Sequence, residues 1–213
     1  MTNAGYKALV QSLSPTLYWP LDSVDGATDL SGNGNDGTWH GSTALGGDSS
    51  SPPVAKGGSS TAFNDIDTYI TSSYAHAAGG VRTYFVWLER AGQGNDGIVG
   101  SDNVNGPLFA LNSSSDDARL QPNGSTSSGQ ATWSDVWPGT GLWVPCALIV
   151  DDSNDEAELF IAGASEGVSS FTGSMDGGNL VFGARAVGGT LSAVLQGKAA
   201  HFAVWERALD PEE

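Results

Sequence analysis

The chain is poor in cysteine and in basic residues. Its 213 residues include a single cysteine, Cys146, so no disulfide can form within the chain. Eight lysines and arginines stand against 24 aspartates and glutamates, which gives a formal net charge of −16. A surface of this sign repels phosphate backbones and anionic lipid headgroups, so we expect neither a nucleic acid nor a membrane as partner. We interpret the charge as serving solubility, with divalent-cation binding or contact with a basic partner surface as the alternatives.

Long apolar stretches and a secretory leader are also missing. No segment approaches the ~20 apolar residues of a membrane-spanning helix. The first residues, MTNAGYKALV, lack the basic region and apolar core of a signal peptide. We therefore expect that the protein is made in a cytoplasm. If it acts outside a cell, it leaves by another route, such as release within a virus particle.

The motifs of common catalytic and metal centres are absent. The histidines His40, His76 and His201 are scattered along the chain, so a hydrolytic triad is not supported. One cysteine and no His-x-x-x-His pair disfavour zinc. No strand carries the closely spaced carboxylates of a retaining glycosidase. We therefore predict that the protein is not an enzyme, and that His201 and Cys146 are packed in a core.

What the chain does contain is turn chemistry between short apolar runs. Its 30 glycines, with frequent Ser, Thr, Asn and Asp, predict many turns and many short strands. Val81–Arg90 and Leu142–Asp151 are apolar on both faces, as in the inner strands of a sandwich. Residues Ala4–Leu13 place apolar side chains on one helical face before Ser14-Pro15, which predicts a short helix. Thr61–Phe63 and Asp67–Thr71 are interpreted as a pair of strands.

Three segments together have a recognisable pattern. Residues 18–22 read YWPLD, residues 29–34 read DLSGNG, and residues 207–213 read RALDPEE. This pattern resembles laminin-G-like, concanavalin A-like lectin/glucanase jelly-roll modules, of the type found in bacteriophage virion proteins. The resemblance implies an all-β fold, an antiparallel β-sandwich jelly roll with a short N-terminal helix. We expect residues 1–15 to form the helical arm and residues 16–213 to form the domain, with the opening strand paired to the closing strand Ala200–Trp205.

The resemblance also implies a function. Such modules are non-enzymatic recognition or structural units, and we expect a virion surface protein, either a minor tail component or a capsid decoration. Its partners would be phage capsid or tail proteins and host cell-surface glycans, and homo-oligomerisation is left open. Two alternatives remain: an architectural virion cement protein that binds no sugar, and a glycoside hydrolase on the same fold.

Two sets of residues are candidate ligand sites. Trp133 and Trp137 lie in a polar segment where no strand alternation demands an aromatic residue, so they are the best candidates for stacking on sugar rings, with packing over a sheet edge as the alternative. Asp29, Ser31 and Asn33 offer alternate oxygen atoms before a glycine, a pattern that suits calcium. The EF-hand glutamate is replaced by His40 at the twelfth position, so we expect a self-bonded Asx turn, with calcium as the alternative.

Overall fold

The structure is a computed structural model of the 213-residue chain. It describes residues 1–64, 66–76, 79–92, 96–103, 106–111, 116–122, 129–175, 177–187, 190–210 and 212–213. Helix α1 spans Asn3–Ser12. In chain order the strands are β1 (Leu17–Trp19), β2 (Gly37–His40), β3 (Thr61–Asn64), β4 (Tyr69–Ala75), β5 (Val81–Arg90), β6 (Asp96–Ser101), β7 (Leu108–Leu111), β8 (Ala118–Gln121), β9 (Ala131–Trp133), β10 (Trp143–Asp151), β11 (Glu156–Ile161), β12 (Ala164–Ser170), β13 (Asn179–Phe182), β14 (Arg185–Val187), β15 (Thr190–Ser192) and β16 (Gln196–Trp205).

Within the described residues, the strands form two large antiparallel sheets and a small hairpin. The first sheet has the order β1-β16-β5-β10-β11-β12, with β3 also paired to β16. The second has the order β2-β4-β13-β6-β7-β8-β9, and the hairpin is β14-β15. The sheets enclose one large apolar cluster that draws on strands of both. The predicted antiparallel β-sandwich jelly roll with a short N-terminal helix is confirmed.

The burial patterns of the inner strands β5 and β10 in the first sheet agree with their sequences. Strand β10 alternates buried and half-buried residues along its length, and β5 is buried on both faces over most of its length. They pair from Trp143 opposite Glu89 to Asp151 opposite Val81. Because α1 covers part of the outer face of this sheet, apolar side chains are favourable on both faces of β5.

The opening and closing strands pair as predicted. Leu17 lies opposite Val204, and Trp19 lies opposite Phe202. Helix α1 then packs on the outer face of this sheet, where Val10 joins Tyr18 and Trp205 in a second apolar cluster. The boundary between residues 1–15 and 16–213 stays a prediction. No helix among the described residues is long and apolar enough to cross a membrane.

One predicted strand pair is wrong. Strands β3 and β4 do not pair with each other: β3 pairs with β16, and β4 pairs with β2 and β13 in the opposite sheet. The turn between them is fixed by Asn64, whose Oδ1 accepts hydrogen bonds from the backbone of Ile66 and Asp67 and from the Thr68 hydroxyl. This turn carries the chain from one layer of the sandwich to the other.

Candidate functional site

The two tryptophans predicted to stack on sugars lie in the core. Trp133 ends β9 and is 5% exposed, and Trp137 is 3% exposed. Their indole nitrogens donate to backbone carbonyls, Trp133 to Gly167 at 2.8 Å and Trp137 to Gly139 at 2.9 Å. Since a ring must expose a face to stack on a sugar, the expected exposure of both residues is wrong. The structure therefore gives no support for a sugar site at either ring.

Asp29 organises the loop that was considered for calcium. Its Oδ1 accepts hydrogen bonds from the backbone nitrogens of Tyr18 at 2.9 Å and Ser31 at 3.0 Å. Its Oδ2 accepts from the Ser31 hydroxyl at 2.8 Å and from the Asn35 nitrogen at 2.9 Å. The Asn33 amide donates to Thr16 O at 3.0 Å. The loop is thus an Asx turn anchored to the first strand.

This hydrogen bonding bears on the calcium alternative. A calcium ion needs oxygen atoms with free lone pairs directed at one point. Both oxygens of Asp29 already accept two hydrogen bonds, and the Asn33 nitrogen, which cannot ligate a cation, faces the loop. Among the described residues, no group of three or more His, Cys, Asp or Glu side chains gathers in a way that suits a metal. The donor set does not fit calcium, and the turn chemistry accounts for these residues.

A polar pocket lies beside the N-terminal helix, and we call it the loop pocket. Its volume is about 390 Å³. Its walls come from the start of α1 and from two loops: Asn3, Asp22, Ser23, Val24, Gly46, Gly47, Asp48, Ser49, Gly57, Gly58 and Ser59. Four of these lining residues are glycines, and Val24 is 81% exposed. Such a pocket has the size and the polar groups to hold a small hydrophilic ligand.

Asp22 forms the charged floor of the loop pocket. Its carboxylate is 2% exposed, accepts hydrogen bonds from the backbone of Val24 and Asp25, and pairs with the Asn3 amide and the Lys7 ammonium. Burial alone would raise the pKa of Asp22, but these hydrogen bonds and the Lys7 charge lower it to about 2. The group is therefore a fixed anion at neutral pH.

The side-chain amide of Asn3 uses only its nitrogen for hydrogen bonding within the described part of the chain. Asn3 Oδ1 is buried and has no hydrogen-bond partner, while Asn3 Nδ2 donates to Asp22 at 2.8 Å. A buried acceptor without a partner costs about 1–3 kcal/mol. Asp48, which also lines the pocket, accepts a hydrogen bond from the Ser50 nitrogen. Burial alone would raise the pKa of Asp48, but hydrogen bonds to Ser50 and the Lys198 charge lower it.

A second, apolar groove lies between α1 and the outer face of the first sheet. Its volume is about 180 Å³, and its walls include Leu9, Phe85, Ile149 and Phe160. Thr83, Asp210 and Glu213 also line the groove, but most of its lining residues are apolar, so it suits a ligand with a large apolar part.

The titratable groups inside the sandwich are structural. The Cys146 thiol is 1% exposed, and burial raises its pKa to about 12, so it is not a thiolate nucleophile. Burial lowers the pKa of His76 and His201 to about 4. His76 contacts the Tyr84 hydroxyl and Gly100 O, and His201 contacts the Tyr18 hydroxyl. The predicted packing of His201 and Cys146 is confirmed.

Sequence reasoning missed the residues of the loop pocket. Asp22 belongs to the YWPLD segment that the sequence pattern singled out. Asn3 and the glycine pairs at 46–47 and 57–58 lie far from it in sequence. No local signal connects these residues, because they meet only where the two loops pack against the start of α1.

Comparison with known proteins agrees with the architecture. A family model of the concanavalin A-like lectin/glucanases superfamily matches residues 63–213. No curated protein sequence matches the chain. Among solved structures, domain 4 of AbnA, a GH43 extracellular arabinanase from Geobacillus stearothermophilus in complex with arabinotriose, is similar with a TM-score of 0.68 and 17% identity. The match covers 93% of this chain and 95% of that domain.

Two further structures share the fold, and in both the match covers a smaller part of the other chain. The heptameric SAP-like pentraxin from Limulus polyphemus has a TM-score of 0.55 and 15% identity, over 67% of this chain and 71% of the pentraxin. The binding domain of botulinum neurotoxin serotype D has a TM-score of 0.63 and 11% identity, over 93% of this chain and 49% of that one. At these identities the likeness shows the fold alone. Together with the family match over most of its length, it places the chain in the concanavalin A-like lectin/glucanase superfamily.

Proposed function

We propose that this domain is a non-catalytic carbohydrate-binding module and that the loop pocket holds the sugar. The observation that carries the proposal is the pocket itself, about 390 Å³ in volume, with carboxylate, amide and hydroxyl side chains among its lining residues. Sugars are recognised through hydroxyl groups that both donate and accept hydrogen bonds, and this wall supplies acceptors. The arabinanase domain with the same fold has arabinotriose bound, which supports a saccharide as the ligand class.

The carboxylates of the pocket support binding and not hydrolysis. Glycosidases need one carboxyl group with a raised pKa to protonate the leaving oxygen. Here the pKa values of both Asp22 and Asp48 are lowered, so both groups are ionised at neutral pH. An ionised carboxylate accepts hydrogen bonds from sugar hydroxyls but cannot act as the general acid.

The experiment is a glycan array probed with the wild-type domain and with Ser49→Trp. Ser49 is exposed at the pocket wall, so a tryptophan there should fill the pocket without disturbing the core. Ser134→Trp is the matched control, because Ser134 is an exposed serine outside the pocket. We expect the glycan signal to be lost in Ser49→Trp alone. An equal signal in both variants would contradict the assignment, and release of reducing ends from a bound glycan would contradict the non-catalytic role.

We further propose that the domain acts on the surface of a bacteriophage particle, as a minor tail component or capsid decoration that adheres to host-envelope glycans. The resemblance of its opening and closing segments to virion modules supports this placement, as does a net charge of −16, which keeps a surface protein away from packaged DNA. Mass spectrometry of purified particles tests it. Absence of the chain from the particle would refute it, whereas full occupancy without any glycan signal would favour the architectural cement protein.

A further inference from the structure

Helix α1 covers only one side of the outer face of the first sheet. Its residues Tyr6 and Val10 pack with Tyr18 of β1 and Trp205 of β16, and the Tyr6 hydroxyl accepts a hydrogen bond from Trp87 of β5. Strands β10, β11 and β12 follow β5 in the order of the sheet. The apolar groove has walls from α1, β5, β10 and β11, so it marks the margin of the surface that the helix covers.

At this margin, strand pairing brings apolar side chains together in a first row. Phe85 of β5 lies opposite Ala147 of β10, which lies opposite Phe160 of β11. Their neighbours along each strand belong to the sandwich core, so these three side chains lie on the outer face. Each is only partly buried, and all three line the apolar groove.

A second row extends the apolar surface past the groove. Ile149 of β10 lies opposite Glu158 of β11, and Glu158 lies opposite Val168 of the edge strand β12. Val168 is 59% exposed, and Leu9, on the α1 side of the groove, is 44% exposed. The groove itself, about 180 Å³ in volume, is smaller than pockets that enclose small ligands, which measure roughly 300–1,000 Å³. The surface therefore suits an extended apolar partner better than a small molecule.

The strands beyond the helix leave the width of one more helix. Neighbouring strands lie about 4.8 Å apart, so β10 to β12 span about 10 Å, and a helix with its side chains is about 10–12 Å across. The 9 residues of β10 correspond to a length of about 30 Å. A second helix beside α1 would cover the two rows, as α1 covers β1, β16 and part of β5.

Carboxylates surround this surface in the described part of the chain. Glu158 lies in the second row, Glu156 lies two residues earlier on the same face of β11, and Asp210 and Glu213 line the groove. Arg207, close by in sequence, pairs with Glu213. A second copy of the chain would bring like charges together, because each copy carries a net charge of −16. A segment with lysine or arginine beside its apolar residues would instead be attracted.

We propose that the apolar groove and the two rows bind a basic amphipathic helix of another protein. Its apolar side chains pack on Phe85, Ile149 and Phe160, and its lysines or arginines face the surrounding carboxylates, as in other cases of helix-in-groove recognition. Among the described residues, the groove and the loop pocket share no lining residue. The inference therefore stands independently of the proposed function.

Fluorescence anisotropy tests this surface with three labelled peptides of about 15 residues, a length of ~22 Å as a helix. The first has leucines at i, i+3, i+4 and i+7 and lysines elsewhere, so its leucines share one face. The second has the same residues in an order that distributes the leucines around the helix, and the third has glutamates in place of the lysines. We expect the first peptide to bind at least about tenfold more tightly than either of the others, with an affinity that falls as salt is raised.

Two variants of the protein separate the surface from general charge attraction. Phe160→Glu and Val168→Glu each add a negative charge, which strengthens any general attraction for lysine, but each also removes an apolar contact. We expect Phe160→Glu to weaken binding of the first peptide by about tenfold or more, and Val168→Glu by about threefold. Because Val168 is 59% exposed, its replacement leaves the core intact even if Phe160→Glu does not fold.

Ile66→Glu is the matched control. Ile66 is 73% exposed in the turn between β3 and β4, so this change adds the same charge away from the groove. It should leave the affinity unchanged or slightly raise it. Equal affinity of Val168→Glu and Ile66→Glu for the first peptide, or equal affinity of the wild type for the first and second peptides, would overturn the proposal.

The same protein samples distinguish two other occupants of the groove. A wild-type dimer in analytical ultracentrifugation that Val168→Glu dissociates would refute the partner helix in favour of a second copy of the chain. Binding of hexylammonium as tight as that of the first peptide would refute it in favour of a small apolar cation. A monomeric wild type that binds the first peptide and does not bind hexylammonium measurably would support the partner helix.

Discussion

The hydroxyl of Tyr18 lies 2.8 Å from Nδ1 of His201, although 183 residues separate them. Tyr18 belongs to the opening strand, and His201 lies at a bulge of the closing strand with a φ of 56°. Tyr6 of the N-terminal helix packs edge-on against the same imidazole, with ring centroids 4.6 Å apart. The Tyr6 hydroxyl accepts a hydrogen bond from Trp87 Nε1 at 2.9 Å. The two ends of the domain and its helix therefore meet at one buried histidine.

This arrangement predicts a loss of stability in mild acid. The pKa of His76 and of His201 is lowered to about 4 by burial, whereas an unfolded histidine titrates near 6.5. Between these values the unfolded state binds more protons, so the free energy of unfolding falls as the pH falls. We expect a loss of about 2 kcal/mol per histidine between pH 7 and pH 5.

Urea denaturation at pH 7 and pH 5 measures this loss. His201→Gln should be less stable than wild type at pH 7 but should lose less stability on going to pH 5. Identical pH dependence of the variant and the wild type would show that His201 does not titrate as described.

A buried ion pair gives a second prediction. Arg90 Nε lies 2.7 Å from Asp96 Oδ2, and both side chains are fully buried. Asp96→Asn removes the fully buried carboxylate of this pair, while Asp116, whose Oδ1 lies 3.4 Å from Arg90 Nη1 and whose side chain is 27% exposed, remains as a weaker partner. We therefore expect the free energy of unfolding to fall by up to about 3–5 kcal/mol. Arg207→Gln, at an exposed pair with Glu213, is the control and should change stability little. Similar melting temperatures for the two variants would contradict the burial of the Arg90–Asp96 pair.

Trp137 should behave as a core residue and not as a sugar-stacking residue. Its ring is 3% exposed, and Arg90 Cζ lies 6.0 Å from the ring centroid. We expect Trp137→Ala to lower the free energy of unfolding by about 3–5 kcal/mol through the cavity it leaves. Trp137→Phe keeps most of the volume, so it should fold and bind glycan as the wild type does. A folded Trp137→Phe that binds no glycan would restore the sugar-stacking role.

Calcium provides a separate test of the Asp29 loop. Because Asp29 accepts four hydrogen bonds from the protein, we expect the melting temperature to be the same with calcium and with chelator. Asp29→Ala should lower it in both buffers, since the loop loses its anchor to Tyr18. A melting temperature that rises with calcium in the wild type and not in Asp29→Ala would establish a metal site.

Much of the sandwich was predictable because its strands carry strong local patterns. Val81–Arg90 was predicted with the bounds that the structure gives it, since a long run apolar on both faces suits an inner strand. Strand β12, with the sequence ASEGVSS, was missed because it is an exposed edge strand without apolar alternation. The pairing of β3 with β4 was wrong because closeness in sequence favours a hairpin, and nothing local shows that the chain changes sheets at Asn64.

The candidate sites were harder to predict because they depend on distant residues. The segment around Trp133 is polar in sequence, yet three residues of it form a strand that buries the ring against the core. Asn3, Asp22 and Ser59 are far apart in sequence, and only the folded loops bring them into one pocket. The turn at Asp29 was predicted correctly as the leading interpretation, since Asx turns depend on residues close in sequence.

The central claim is that a saccharide binds in the loop pocket without being cleaved. Calorimetric titration of a neutral oligosaccharide that the glycan array identifies, into wild type, Ser49→Trp and Ser134→Trp, tests it most directly. We expect one ligand to bind per chain of wild type and of Ser134→Trp, no binding to Ser49→Trp, and intact oligosaccharide after the titration. Undiminished binding to folded Ser49→Trp, or recovery of shortened oligosaccharide, would contradict it.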